Sequence, residues 1–212
     1  MDYSKIKLFD NINGESCHLM MECFDARHRT FKRGQIVYDF SGGENSIVII
    51  TKGKAFMIRE DIDGMKDILE HIEENGIFGD MLNFSKITKD NIYVLCEEDC
   101  ECIFIRYDQI TKRCVNACGH HTQLIENLFD LMLNKALMLS ERVEVLSRRS
   151  IRSKLMCYFI ILAREKNVAN LPFSITALAE YLCVDRSAMV RELGNMKKEG
   201  IIELDKREIK IC

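Results

Sequence analysis

Three patterns of apolar and polar positions succeed one another along the chain, and each predicts a different kind of element. Residues 5 to about 25 carry apolar Ile6, Leu8, Phe9, Leu19, Met20 and Met21 without a sustained period, which reads as a helix or an irregular lead-in. From Phe31 to Arg106 short β-rich runs alternate with glycine turns. Ile36-Val37-Tyr38 stops at Gly42-Gly43, and Ser46–Thr51 holds Ile47-Val48-Ile49-Ile50, an unbroken apolar run suited to a buried strand. Lys54–Glu60 turns at Asp63-Gly64, a hairpin-type pair, and Met65–Ile72 stops at Asn75-Gly76. Ile92–Cys96 and Cys102–Arg106 form the last pair. Many short strands with regularly spaced turns predict a sandwich, barrel or jelly roll.

The pattern changes near His120. From there to about Arg148 there is no Gly or Pro, and Ile125, Phe129, Met132, Ala136, Leu139, Val143 and Leu146 step by 4, 3, 4, 3, 4, 3. A seam kept for three heptads favours a partner helix over packing on its own domain, and most homo-oligomers are twofold dimers. Ser150–Asn167 reads as a second helix with Ile151, Leu155, Tyr158 and Leu162 on one face, and Pro172, the only proline, separates it from the C-terminal forty residues. These changes divide the chain into residues 1–118, a long helix over 119–148, and 149–212.

The last forty residues carry the most chemistry. Ser174 suits an N-cap, and Ile175, Leu178, Ala179 and Leu182 form one stripe of a short helix. After a turn at Cys183-Val184, Asp185 caps a second helix with Met189, Leu193 and Met196 on one face. Small Ala179 lets the two helices cross closely, the arrangement of a helix-turn-helix. Arg186, Ser187, Val190 and Arg191 form a contiguous patch on the other face, near the end that would enter a major groove. Arginine there can donate two bonds to guanine O6 and N7, and Val190 can meet a thymine methyl. Ser174, Thr176, Lys197 and Lys198 complete the expected DNA contacts, the lysines on phosphates. Gly200 ends the helix, and Ile201–Leu204, Asp205–Arg207 and Glu208–Ile211 read as strand, turn and strand, a wing with a basic tip.

Charge agrees with this placement. Residues 148–212 hold 13 Lys+Arg against 8 Asp+Glu, a net of +5, whereas residues 1–147 hold 17 against 25, a net of −8. A basic back suits a polyanion partner. With 47% hydrophobic and 30% charged residues among 212, a packed core is expected and disorder is not. No apolar run nears the ~20 residues that span a bilayer, and the N-terminus lacks a signal peptide's basic and apolar regions. The cytoplasm is therefore the default location, without a membrane partner. Ten cysteines then read as free thiols packing as small hydrophobes rather than as a disulfide framework.

Phe31-Lys-Arg-Gly34-Gln-Ile36, Ile47-Val-Ile-Ile-Thr-Lys-Gly53, Asp63-Gly64 and Gly76-Ile-Phe-Gly79-Asp80 mark the front of the chain. Asp185-Arg-Ser-Ala-Met-Val-Arg191-Glu-Leu193 and Lys198-Glu-Gly-Ile-Ile202 mark the back. In this order, over about Leu8 to Ile211, the chain resembles the cyclic-AMP receptor protein/FNR family of bacterial regulators. The resemblance implies an α+β chain: an N-terminal β-roll (jelly-roll, cyclic-nucleotide-binding-like), a long dimerisation helix and a C-terminal winged helix-turn-helix. It implies a homodimer presenting two recognition helices to palindromic double-stranded DNA, with half-sites ~34 Å apart. RNA polymerase and a small-molecule effector are its further candidate partners. Arg186, Ser187 and Arg191 match the family's arginine, variable polar residue and second arginine. The chain departs from the family at Cys183, where glycine is common, and Gly194 costs its helix ~1 kcal/mol relative to alanine.

Cyclic-nucleotide binders of this fold use a Phe-Gly-Glu turn for the ribose and an Arg-Ser or Arg-Thr pair for the cyclic phosphate. This chain has Phe78-Gly79-Asp80, and Asp90-Asn91 falls where the arginine should be. On the central helix Leu139-Ser140 stands where adjacent hydroxyls would meet the base. The expectation is an effector other than cyclic AMP, of unknown identity, in a pocket near Ile77, Phe78, Gly79, Asp80, Leu82, Asn91, Leu139 and Ser140, or a pocket filled by its own side chains. The alternative is a redox or metal sensor holding an iron–sulfur cluster or haem. Its candidates are Cys17, Cys23, Cys96, Cys100, Cys102, Cys114, Cys118, His120 and His121, but no ligand pattern is complete. No metal or other cofactor is expected. A binding protein whose helix-turn-helix serves protein contacts is a further alternative. An enzyme is not expected, since no phosphate-gripping glycine loop or nucleophile elbow occurs and His28 and His71 are scattered.

Overall fold

In the computed structural model of the chain, residues 3, 6–42, 44–79, 90–111, 119–164 and 167–212 are described. The chain falls into two compact units, Met1–Asn134 and Lys135–Cys212.

The lead-in of the first unit is a short 3-10 turn, Lys7–Phe9, and helix α1, Gly14–Cys23. Asn13 caps α1 by accepting from the Ser16 N–H at 2.8 Å. Eight strands come next: β1 (Arg27–Phe31), β2 (Ile36–Asp39), β3 (Ser46–Lys52), β4 (Ala55–Glu60), β5 (Lys66–Ile72), β6 (Ile77–Gly79), β7 (Asn91–Cys96) and β8 (Cys100–Arg106). They form two antiparallel four-stranded sheets of order β1-β8-β3-β6 and β2-β7-β4-β5. Adjoining strands β7 and β8 therefore lie in different sheets. The last two strands of the roll are not partners of each other: β7 pairs with β2 and β4, and β8 with β1 and β3. Each has both edges occupied, which leaves neither edge free for a hairpin between them.

The apolar run of β3 is explained by side-chain alternation. Ile47 and Ile49 pack with α1, the lead-in, Ile103 and Ile105. Val48 and Ile50 face the second sheet and join Met57, Ile72, Val94 and Phe104 in the core between sheets. Both faces of β3 are thus covered, and a fully buried side chain of this size contributes roughly 1.5–3 kcal/mol. The β4–β5 hairpin turns at Gly64, whose φ of +78° suits glycine, while Asp61 accepts from the N–H groups of Asp63 and Met65.

A short helix α2, Tyr107–Thr111, precedes α3, Gly119–Leu146, which is shared by the two units. In the first unit its Leu124 and Leu128 join the core around Leu8 and Phe9. Asn127 is buried there because its amide donates to two lead-in carbonyls, Leu8 at 3.0 Å and Asp10 at 2.7 Å. In the second unit the Arg142 guanidinium lies 4.5 Å above the Tyr181 ring and donates to the Tyr181 carbonyl.

The second unit continues with α4 (Ile151–Ala163), β9 (Val168–Asn170), α5 (Ile175–Leu182), α6 (Arg186–Lys198), β10 (Ile202–Asp205) and β11 (Glu208–Ile211). Helix α4 stops at Ala163, short of the Asn167 read from sequence. Arg164 takes φ +51° while its N–H closes on the Ile160 carbonyl. Val168–Asn170 then pairs with β11, so the wing is a three-stranded sheet of order β10-β11-β9. Tyr158, Phe173 and Tyr181 meet with ring centroids 5.4–6.3 Å apart.

Candidate nucleic-acid interface

Two caps and one left-handed residue set the geometry of α5 and α6. Ser174 Oγ accepts from the Ala177 N–H at 3.2 Å, and Asp185 Oδ1 accepts from the Ala188 N–H at 2.7 Å. Between them Cys183 takes φ +51° and ψ +57°, a conformation that costs a side-chain-bearing residue roughly 1 kcal/mol. In return the Val184 N–H reaches the Ala179 carbonyl at 3.1 Å, which closes the end of α5. Cysteine thus accepts the angles that glycine commonly supplies. Leu178, Ala179, Leu182, Met189, Leu193 and Met196 are all buried. Gly194 is exposed, and α6 continues past it to Lys198.

The opposite side of α6 is left to solvent. Arg186, Ser187, Val190 and Arg191 are exposed and contiguous on the helix. Arg186 Nε donates to Thr176 Oγ1 at 3.0 Å, which orients its guanidinium from one side. The Ser187 hydroxyl donates to Asp185 at 2.6 Å, so its lone pairs remain available as acceptors. That bond and the Ala188 N–H hold the Asp185 carboxyl below its ordinary range. Ser174 and Thr176 are exposed at the start of α5. Lys198 is exposed, while Lys197 turns toward the wing and reaches the Leu204 carbonyl at 3.4 Å. Lys206 and Arg207 form the exposed wing tip.

Arg152, on the first turn of α4, forms ion pairs with Glu192 of α6 and with Glu199, its C-cap. The partners lie 40 and 47 residues apart, and no local pattern links them.

On α3 the heptad positions Ile125, Phe129, Ala136, Leu139 and Val143 are exposed, and Met132 and Leu146 are half-buried. Phe129 is 63% and Val143 67% exposed, and Leu133, Leu137 and Met138 widen the apolar stripe beyond the seven seam positions.

The sensor candidates are dispersed. Ile77, Phe78 and Gly79 are buried on β6, with Ile77 in the core beside α1 and Phe78 between the sheets. Asn91 is exposed at the start of β7. Asp90 lies 3.9 Å from Arg59, which also pairs with Asp67 at 2.5 Å. Asp80 and Leu82 lie outside the described residues. Leu139 and Ser140 are exposed and belong to the second unit.

Burial governs the cysteines of the roll. Cys17, Cys96, Cys100 and Cys102 are buried, whereas Cys23, Cys183 and Cys212 are exposed. Burial, then the neighbouring Cys100, pushes the Cys96 thiol up to about 12. Burial raises Cys102 further still. Such thiols stay protonated at neutral pH and make poor nucleophiles and poor ligands. Among the described residues no three His, Cys, Asp or Glu side chains converge on a metal-sized site. Cys114 and Cys118 lie outside the described residues. Among the described residues no helix is long and apolar enough to cross a membrane.

The family model for the cyclic nucleotide-binding domain matches residues 28–116, and that for the Crp-like helix-turn-helix domain matches residues 153–212. No curated protein matches the chain. Among solved structures, CprK complexed with OCPA is similar at TM-score 0.69 and 18% identity, over 93% of this chain and 91% of that one. A CooA mutant from Carboxydothermus hydrogenoformans is similar at TM-score 0.68 and 16% identity, over 90% of this chain and 85% of that one. The c-di-GMP responsive global regulator CLP of Xanthomonas campestris is similar at 0.67 and 14%, over 92% and 98%. At such identities the likeness speaks for the fold. The two family models, in this order on this fold, place the chain in the cyclic-AMP receptor protein/FNR family of transcription regulators, which are not enzymes.

Proposed function

We propose that two copies of the chain bind one palindromic duplex, each laying α6 in the major groove, under the control of an effector other than cyclic AMP. The working division is a β-roll sensor over 1–118, a dimerisation helix over 119–148 and a winged helix-turn-helix over 149–212. The observation that carries the reading is the exposed face of α6, where Arg186, Ser187, Val190 and Arg191 stand clear of the core. In this reading Arg191 donates to a guanine edge, Arg186 does so braced by Thr176, and the wing tip with Lys197 and Lys198 meets phosphates. The test is Arg191→Ala on the gene's own upstream region, with gel shift and footprinting across a salt series. Specific binding should weaken by about 1–3 kcal/mol, roughly a 5- to 150-fold rise in Kd. An unchanged footprint would remove Arg191 from the recognition set, and no salt-dependent shift of the unaltered chain would favour protein contacts instead of DNA.

The fold alone does not name the effector: CprK is described with OCPA, and CLP as responsive to c-di-GMP. Against cyclic AMP stands Asp90, a carboxylate where the register asks for a phosphate-gripping arginine. The neighbouring cation, Arg59, is already shared between Asp67 and Asp90. Among the described residues, a phosphate brought there would meet two carboxylates that share one guanidinium. Calorimetric titration with cyclic AMP should show no micromolar binding; a clear micromolar isotherm overturns this part of the proposal. The true effector acts by shifting the population of dimer geometries, by no more than its differential affinity for them.

A further inference from the structure

Arg152 makes three charge-assisted bonds to the helix proposed to enter the groove. Its Nε donates to Glu192 Oε1 at 2.5 Å, and its two terminal nitrogens donate to the two Glu199 oxygens at 2.7 and 2.8 Å. The second contact is the parallel, two-bond pairing that a guanidinium fork makes with a carboxylate. Hydrogen bonding to Glu199, then to Glu192, raises the Arg152 pKa, and the same bond lowers that of Glu199.

These carboxylates lie in an unusual place. Glu192 and Glu199, the C-cap of α6, are seven residues apart, two turns along one side of the helix. Glu192 adjoins Arg191, and the two line one cleft together with Ser150, Arg152 and Asn195. Any phosphate that meets Arg191 comes within a Debye length, about 8–10 Å, of the Glu192 charge. Duplex DNA carries one negative charge per ~1.7 Å of its axis, so two bare carboxylates on this helix would oppose binding. Stability alone does not account for a net charge of −1 on a helix proposed to face a polyanion, and the side chains, 38%, 23% and 47% exposed, leave that charge open to solvent and to an approaching duplex.

Resting on the reading of α6 as the DNA-facing helix, we infer that Arg152 is a positioning residue that masks Glu192 and Glu199, so that it sets DNA affinity through two carboxylates without touching the duplex. The three side chains together carry one negative charge; without Arg152 they carry two, and without the carboxylates they carry one positive.

That difference in sign separates masking from simple bracing of α4 on α6. The full chain and three variants are titrated by fluorescence anisotropy against a 30-bp random-sequence duplex. Arg152→Gln should bind about 15-fold more weakly at ~50 mM salt and about fourfold more weakly at ~200 mM, as one effective charge dictates. Glu192→Gln with Glu199→Gln changes the charge by two in the favourable sense and should bind more tightly than the unaltered chain by up to about 200-fold at ~50 mM salt, although it breaks every one of these ion pairs. Adding both glutamines to Arg152→Gln should restore affinity. Weaker binding by the Glu192→Gln/Glu199→Gln pair would mean bracing and would overturn the inference, as would an Arg152→Gln chain that binds like the original. If the unaltered chain ignores the duplex at ~50 mM salt, the DNA reading falls and takes this inference with it; the other failures leave that reading standing.

Discussion

Phe129→Glu is expected to convert the proposed dimer into single 24.6 kDa chains and to weaken binding to a palindromic duplex by about 10²–10⁴-fold. The ring of Phe129 is 63% exposed on the chain as it stands, near the N-terminal end of a stripe that continues through Leu133, Ala136, Leu139 and Val143. A helix of 28 residues is about 42 Å long. Contiguous apolar surface over much of that length exceeds what a monomer ordinarily leaves in water. A twofold partner would cover it with the same stripe, seam on seam. Glutamate at this position would face a copy of itself or lie buried without a cation, and either arrangement opposes association. Each chain would still hold one recognition helix, so the loss measured on DNA is that of the second, linked contact. Analytical ultracentrifugation and anisotropy read the two effects separately. Phe129→Leu, which keeps the apolar surface, should remain dimeric. A Phe129→Glu chain that still sediments at twice the chain mass would overturn the seam as the dimer interface.

How far the sequence discloses this molecule depends on the range of the interactions concerned. The helix-turn-helix is legible because its determinants are neighbours: Ser174 and Asp185 each cap within three residues, and the turn at Cys183-Val184 closes on Ala179. The unbroken apolar run of β3 announces burial on both faces for a similarly local reason. Strand partnership is not local. β7 and β8 are separated by three residues yet join different sheets, a choice made by edges formed far away in the chain. Strand β9 has three residues and no alternation long enough to read, and it exists because β11 offers an edge. The Arg152 cluster is invisible for the same reason: nothing near Arg152 marks Glu192 and Glu199 as partners. On α3 the seam period is readable. Leu133 also stays exposed, however, because the first unit buries the Leu124, Asn127 and Leu128 side of the helix, and Leu137 and Met138 stay exposed in the second unit, where Lys135, Arg142 and Val145 are the buried residues of α3. The effector is the least legible feature, since Ile77, Phe78 and Gly79 are committed to strand packing whatever the roll binds.

Gly79→Ala should destabilise the first unit by about 3–5 kcal/mol and lower its melting temperature by roughly 10 °C or more. Gly79 has φ +130°, in a region that side-chain-bearing residues seldom enter. A Cβ built there would stand 2.0 Å from the Ser46 carbonyl oxygen and 3.2 Å from the Ile47 Cα, both backbone atoms of the adjoining strand. No rotamer relieves such a contact, so β6 would have to withdraw from β3. It is a three-residue strand whose sheet neighbour among the described residues is β3, and its withdrawal unseats Ile77 and Phe78 from the two cores they fill. The cost is that of emptied core positions added to backbone strain. Gly64→Ala is the control: at φ +78° with open space around the new carbon, it carries strain of roughly 1 kcal/mol alone. Thermal melts monitored by near-ultraviolet circular dichroism compare the two, and a Gly79→Ala chain that melts with the original would show that β6 is free to move. A large loss would have a consequence for reading the roll. The Phe78-Gly79 step would be required by the approach of two strands before any ligand is considered, so its likeness to a nucleotide-binding turn cannot by itself argue for a nucleotide.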